Sequence, residues 1–99
     1  MSKKKYQDYL IKSLKKPKEA VEYLNAALDE NDPQVFLLAL RNVSEAFGGI
    51  TKVAQKTKLN RTSLYRMLSK KGNPELASIG SLLKLFGLKL AVELETQTA

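Results

Sequence analysis

The chain has 99 residues, 43% of them hydrophobic and 27% charged, and its 17 Lys and Arg outnumber 10 Asp and Glu for a formal charge of +7. That fits a single domain over 1–99 with one core, burying about 65% of the surface its unfolded chain would expose. Without Cys or His it can build no disulfide framework, Cys/His zinc site, thiol nucleophile or imidazole base, and its longest apolar run, Val35 to Leu40, is far short of the roughly 18 residues that span a bilayer. A soluble cytoplasmic protein with no membrane partner, no metal and no cofactor is expected.

Tyr6, Tyr9, Leu10 and Leu14 recur at helical spacing and predict a short basic helix over 5–15 whose Lys-rich start frays. Pro17 suits the first turn of a second helix, with Ala20, Leu24, Ala27 and Leu28 on one face to about Glu30. Asp32-Pro33 pairs a capping carboxylate with a preset φ and opens a third helix, in which Phe36, Leu40, Val43 and Phe47 form a core stripe. Gly48-Gly49 ends it.

Two short helical segments follow. Ile50, Val53, Ala54 and Thr57 face inward in the first, and Leu64, Met67 and Leu68 in the second. Between them Leu59 plugs the turn and Asn60 is placed to cap the helix beginning at Arg61. Gly72-Asn73-Pro74 stops the second segment. A last helix runs from about Glu75, with Leu76, Ile79, Leu82, Leu83 and Phe86 inward and Gly87 as its stop. The period then changes to two: Leu88, Leu90, Val92 and Leu94 share one face, and Lys89, Ala91, Glu93 and Glu95 the other, which predicts a C-terminal strand over 88–95. The whole reads as an all-α, compact five-helix domain with that short strand appended.

Charge is segregated along the chain. Residues 1–18 carry seven Lys against Asp8; residues 19–49 carry Glu19, Glu22, Asp29, Glu30, Asp32 and Glu45 against Arg41 alone; residues 50–71 carry Lys52, Lys56, Lys58, Arg61, Arg66, Lys70 and Lys71 with no acid. A basic block of that density, without an amphipathic Lys/Leu/Trp face beside it, points to nucleic acid before membrane.

Within this block the demands of a helix-turn-helix are met: small Ala54 where two helices cross, apolar Leu59 in the turn, apolar Leu64 as anchor. A plain helix hairpin would want the same three residues, and the acid-free basic surface separates the two readings. The second helix leaves Arg61, Thr62, Ser63 and Arg66 outside as candidates for reading base edges. Thr51, Lys52, Lys56, Lys58, Tyr65, Lys70 and Lys71 are candidates for phosphate contacts, Thr51 and Lys52 at a helix N-terminus whose dipole favours an anion. Tyr65 also reads as cover for the core edge, and Lys70 and Lys71 as a solvated helix end.

Residues 16–90 resemble the HigA-like addiction module antidote proteins, antitoxins with a Cro/C1-type, lambda repressor-like helix-turn-helix. The resemblance is carried by Lys16-Pro17-Lys18-Glu19-Ala20-Val21-Glu22-Tyr23-Leu24-Asn25-Ala26-Ala27-Leu28, Asp32-Pro33, Ala39-Leu40-Arg41, Val53-Ala54, Leu59-Asn60-Arg61-Thr62-Ser63-Leu64-Tyr65, Leu68-Ser69, Gly72-Asn73-Pro74 and Leu85-Phe86-Gly87-Leu88. It implies a homodimer that binds double-stranded operator DNA, represses its own operon and neutralises a cognate RelE/HigB-like toxin, typically a small basic ribonuclease. One departure is Lys58, where the motif usually has Gly in a positive-φ turn. Against a basic toxin the acidic block has the complementary sign, so Glu19, Glu22, Tyr23, Asp29 and Glu30 are the expected docking residues. The same DNA chemistry without a toxin would be a stand-alone regulator. A His-free ribonuclease would need a sheet with convergent Arg, Lys and Tyr, which this helical pattern does not supply, so the chain is read as a non-enzyme.

Overall fold

The computed structural model describes residues 2–95, and in them the chain forms six helices: α1 Lys3–Ser13, α2 Pro17–Asp29, α3 Pro33–Ala46, α4 Ile50–Thr57, α5 Arg61–Met67 and α6 Leu76–Leu85. The expected count of five is therefore one short. The N-terminal segment is a regular helix, because the Ser2 hydroxyl accepts from the Lys5 N–H at 3.2 Å and Leu14, just past its end, is anchored in the core.

Caps set the helix boundaries. The Asp32 carboxylate accepts from the Gln34 N–H at 3.0 Å with Pro33 at the first helical position. The end of α3 is a Schellman motif: the Gly48 N–H donates to the Glu45 carbonyl and the Gly49 N–H to the Ser44 carbonyl. Both glycines have positive φ, 108° and 95°, which turns the chain sharply into α4. Gly87 and Leu88 close α6 by the same pattern, onto Lys84 and Leu83.

Helix α3 is the hub, packing against α1, α2 and α4, while α4 carries α5 and α6. Leu14, Leu37, Leu40, Val43, Val53, Leu68, Leu82 and Phe86 are almost wholly buried between them. Phe47 and Phe86, with ring centroids 4.8 Å apart, tie the end of α3 to the end of α6. Buried Asn42 donates to the Tyr23 hydroxyl at 2.8 Å and accepts from the Gln7 side-chain amide at 3.0 Å, joining α1, α2 and α3 through one satisfied polar group.

The structure corrects several readings of the faces. Tyr6 and Tyr9 are exposed, and α1 leans on the core through Leu10 and Ile11 instead. Leu28, in the last turn of α2, and Leu76, the first residue of α6, are also exposed. The segment 88–95 is not a strand in the chain: among the described residues there is no second strand to complete a ladder, and an isolated extended segment cannot pair its own N–H and C=O groups. No helix of the described residues is long and apolar enough to cross a membrane.

Candidate nucleic-acid interface

Helix α5 has seven residues, about half the length at which an isolated helix becomes stable in water. Its geometry is therefore imposed from outside, and each end has its own fixture. At the N-terminus the Asn60 side-chain oxygen accepts from the Ser63 N–H at 2.9 Å. At the C-terminus the Arg41 guanidinium, reaching over from α3, donates to the Leu68 carbonyl, where a cation also complements the negative end of the helix dipole. Leu64 and Met67 fix the inner face. The chain leaves beneath the helix through Gly72, where a Cβ would fall on the Met67 carbonyl oxygen, so only glycine allows so close an approach. Arg41 is the functional fixture that sequence reasoning missed. The available signal was its isolation as the one cation among the acids of 19–49.

The α4–α5 connection is just as determined. Lys58 sits in the left-handed region at φ 61°, so the chain keeps the turn that glycine usually supplies and tolerates a conformation that costs a side-chain-bearing residue about 1–2 kcal/mol. The Thr57 hydroxyl donates to the Val53 carbonyl at 2.8 Å and accepts from the Leu59 N–H at 3.4 Å, bracing the turn. Leu59 packs against the core from a partly buried position, and Ala54 is buried where α4 meets its neighbours.

Arg61, Thr62, Ser63, Tyr65 and Arg66 are all exposed on α5, as are Thr51, Lys52, Lys56, Lys58, Lys70 and Lys71 around it. They do not form one undivided patch. Arg61 and Arg66, five residues apart, lie about 140° apart around the helix. On one flank the Arg61 Nε donates to the Thr51 hydroxyl at 2.7 Å, which aims the guanidinium from the first turn of α4 and leaves its terminal nitrogens free. Thr51 thus positions Arg61. On the other flank Ser63, Arg66 and Lys71 border a depression of about 390 Å³ floored by Leu59, Leu64 and Met67, with Asn60, Asn73 and Glu75 on its rim. Glu75 is an acid lying just past the acid-free stretch. Lys70 is set apart, on an apolar cleft lined by Val35, Leu38 and Leu68.

On α2, Glu19, Glu22, Asp29 and Glu30 are exposed and Tyr23 is half-buried, its hydroxyl taken by Asn42. Glu19 sits in the first turn, where a carboxylate complements the dipole. Asp29 and Glu30 sit at the opposite end, where negative charge costs stability. They are the acids of α2 with no stabilising reason to be there. Among the described residues no group of three or more His, Cys, Asp or Glu could hold a metal ion.

The family model described as "Probable addiction module antidote protein" matches residues 5–94. An uncharacterized protein of Haemophilus influenzae (strain Rd) is 31% identical over 71 residues, which is 72% of each chain. No solved structure matches.

Proposed function

The chain belongs to the family of probable addiction module antidote proteins, and from that footing we propose that it is the DNA-binding antitoxin of a type II toxin–antitoxin module, with a HigA-like, Cro/C1-type helix-turn-helix made of α4 and α5. It acts in the cytoplasm as a homodimer, represses its own operon, neutralises a RelE/HigB-like ribonuclease and has no catalytic activity itself. The observation that carries the DNA reading is the way α5 is held. A helix too short to stand alone is pinned by Asn60 at one end and Arg41 at the other, and presents Arg61, Thr62, Ser63 and Arg66 outward from a stretch of 22 residues without an acid.

The division of labour follows from position. Arg61, aimed by Thr51, and Arg66 on the opposite flank read base edges, for which a guanidinium can bond guanine O6 and N7 together, while Thr62 and Ser63 offer hydroxyls between them. Lys52, Lys56, Lys58, Lys71 and Tyr65 meet phosphates, and Lys70 reaches the backbone from the α3 side. The acids of α2, Glu19, Glu22, Asp29 and Glu30 beside Tyr23, face the basic toxin. Because the two charged surfaces lie on different helices, DNA and toxin can be held together.

Fluorescence anisotropy against the DNA upstream of the chain's own gene, with a scrambled duplex as control and several salt concentrations, tests this reading. The expected result is a preference of at least about 10³ for the natural sequence and a steep salt slope on both duplexes. Equal affinity for the two would remove sequence reading from α5.

A further inference from the structure

The basic block of residues 1–18 is a charged surface that the proposed function leaves unused. Seven Lys stand there against Asp8 alone, with no Arg. Three of them, Lys3, Lys4 and Lys5, occupy the first turn of α1, where cations oppose the positive end of the helix dipole and cost stability. Folding therefore gives no reason for their position. The helix is nonetheless firmly seated: the Ser2 hydroxyl caps it, the Gln7 side-chain amide donates to Asn42 on α3, and Leu10, Ile11 and Leu14 pack on the core. That fixes which side faces out. Lys5, Tyr9 and Lys12, at i, i+4 and i+7, form an outward stripe about 10 Å long, and Tyr6 stands beside Tyr9 one turn earlier. Tyr6 is 60% and Tyr9 70% exposed.

We propose that this face of α1 binds single-stranded RNA. Lysines interleaved with open aromatic rings suit a strand with unpaired bases: the ammonium groups neutralise phosphates while bases stack on the rings, which tolerates any sequence because every base has a π-face. A duplex hides those faces and would use the lysines alone. Lys is a point charge without the planar fork that bonds guanine, so α1 tracks a backbone, whereas α5, with Arg61 and Arg66, is equipped to read base edges. Both aromatics are Tyr and not Phe, so each stacked ring carries a hydroxyl able to pair with a ribose 2′-OH, the group that separates RNA from DNA. An anionic membrane is a poorer match, because the apolar side of α1 is committed to the core and leaves nothing to insert. A basic toxin would be repelled by this face. The surface lies on a different helix from α5 and adds a second nucleic-acid contact to the function proposed above.

Anisotropy of the full chain with a labelled oligouridylate of about 12 nucleotides, beside oligo(dU) of the same length and the operator duplex, tests this. Tyr6→Ala and Tyr9→Ala are each expected to weaken oligouridylate binding about tenfold while leaving operator binding unchanged. Tyr6→Phe with Tyr9→Phe keeps the stacking and loses the hydroxyls, so oligo(dU) binding holds and the preference for RNA falls. Lys5→Ala and Lys12→Ala each lower the salt slope on oligouridylate by about 0.7. Because the chain has four Tyr and no Trp, stacking also appears directly as quenching of tyrosine emission, which the double Phe variant removes. Arg61→Ala with Arg66→Ala does the reverse of the Tyr variants, lowering operator affinity and sparing oligouridylate. Failure of α5 to read DNA and failure of α1 to bind RNA are therefore separate outcomes. No binding of oligouridylate, unchanged affinity in both Ala variants, an equal loss on the operator duplex, equal affinity for oligo(dU), or Tyr-dependent association with phosphatidylserine vesicles in place of RNA overturns the proposal.

Discussion

Helices α2 and α5 are both exposed along one side, yet they are held by opposite means. The thirteen residues of α2 are seated by Ala20, Leu24 and Ala27, and their acids make no fixed contact that shapes the helix. The seven residues of α5 are pinned by polar bonds at both ends and by a close backbone approach at Gly72. A surface that must match a rigid, regularly spaced target gains from such preorganisation, because the ordering cost is met on folding and not on binding. A surface that steers an oppositely charged protein needs only the right sign in roughly the right place. The contrast is what the proposed division of labour calls for, with sequence reading on α5 and electrostatic docking on α2.

The largest test of this contrast pairs two core truncations. Leu24→Ala in α2 and Leu64→Ala in α5 each remove a buried leucine and are expected to cost about 2–5 kcal/mol in thermal or denaturant unfolding. Measured below both transitions, only Leu64→Ala lowers operator affinity. Next is Arg41→Ala, which deprives the Leu68 carbonyl of its donor and should destabilise by about 1–3 kcal/mol. It also weakens operator binding while leaving the salt slope unchanged, since Arg41 touches the helix and not the phosphates. Asn60→Ala removes the N-terminal cap of α5 and should cost about 1 kcal/mol, with a smaller loss of DNA affinity that calorimetry and anisotropy read together. The smallest effect has the opposite sign. Asp29→Lys with Glu30→Lys relieves the unfavourable charge at the end of α2 and should raise stability by about 0.3–1 kcal/mol per residue, leave operator binding intact and slow toxin association in stopped-flow mixing. Unchanged toxin kinetics would move the docking surface off α2.

Features set by neighbouring residues were legible in the sequence. Asp32-Pro33, Gly48-Gly49 and Asn60 each announce a cap, and each forms the expected bond or turn. Lys58 takes a positive φ at the position where the resemblance puts a glycine, despite its side chain. What escaped depends on residues far apart. The Arg41 fixture spans 27 positions and the Gln7–Asn42 bond 35, and no periodicity encodes either. The faces of α1 failed because Tyr6 and Tyr9 satisfy the helical repeat but find no neighbour there, leaving them exposed. The alternation in 88–95 reads as a strand, yet a strand needs a neighbour to pair with, and the described residues contain none. At the candidate site, the exposed residues of α5 follow from Leu64 and Met67 turning inward, whereas the division of Arg61 from Arg66 onto two flanks emerges only with Thr51 and the Lys71 depression in place.

The most direct test of α5 as the reading helix compares Arg61→Ala and Arg66→Ala with Lys52→Ala and Lys56→Ala, each titrated on operator and scrambled duplexes across a range of salt. Each arginine variant should lose about 1–3 kcal/mol on the operator and relax preference at one base position, with little change on the scrambled duplex. Each lysine variant should weaken both duplexes alike and reduce the salt slope by about one unit. Arginine variants that lose equally on both duplexes would make Arg61 and Arg66 phosphate contacts and contradict the assignment of sequence reading to α5.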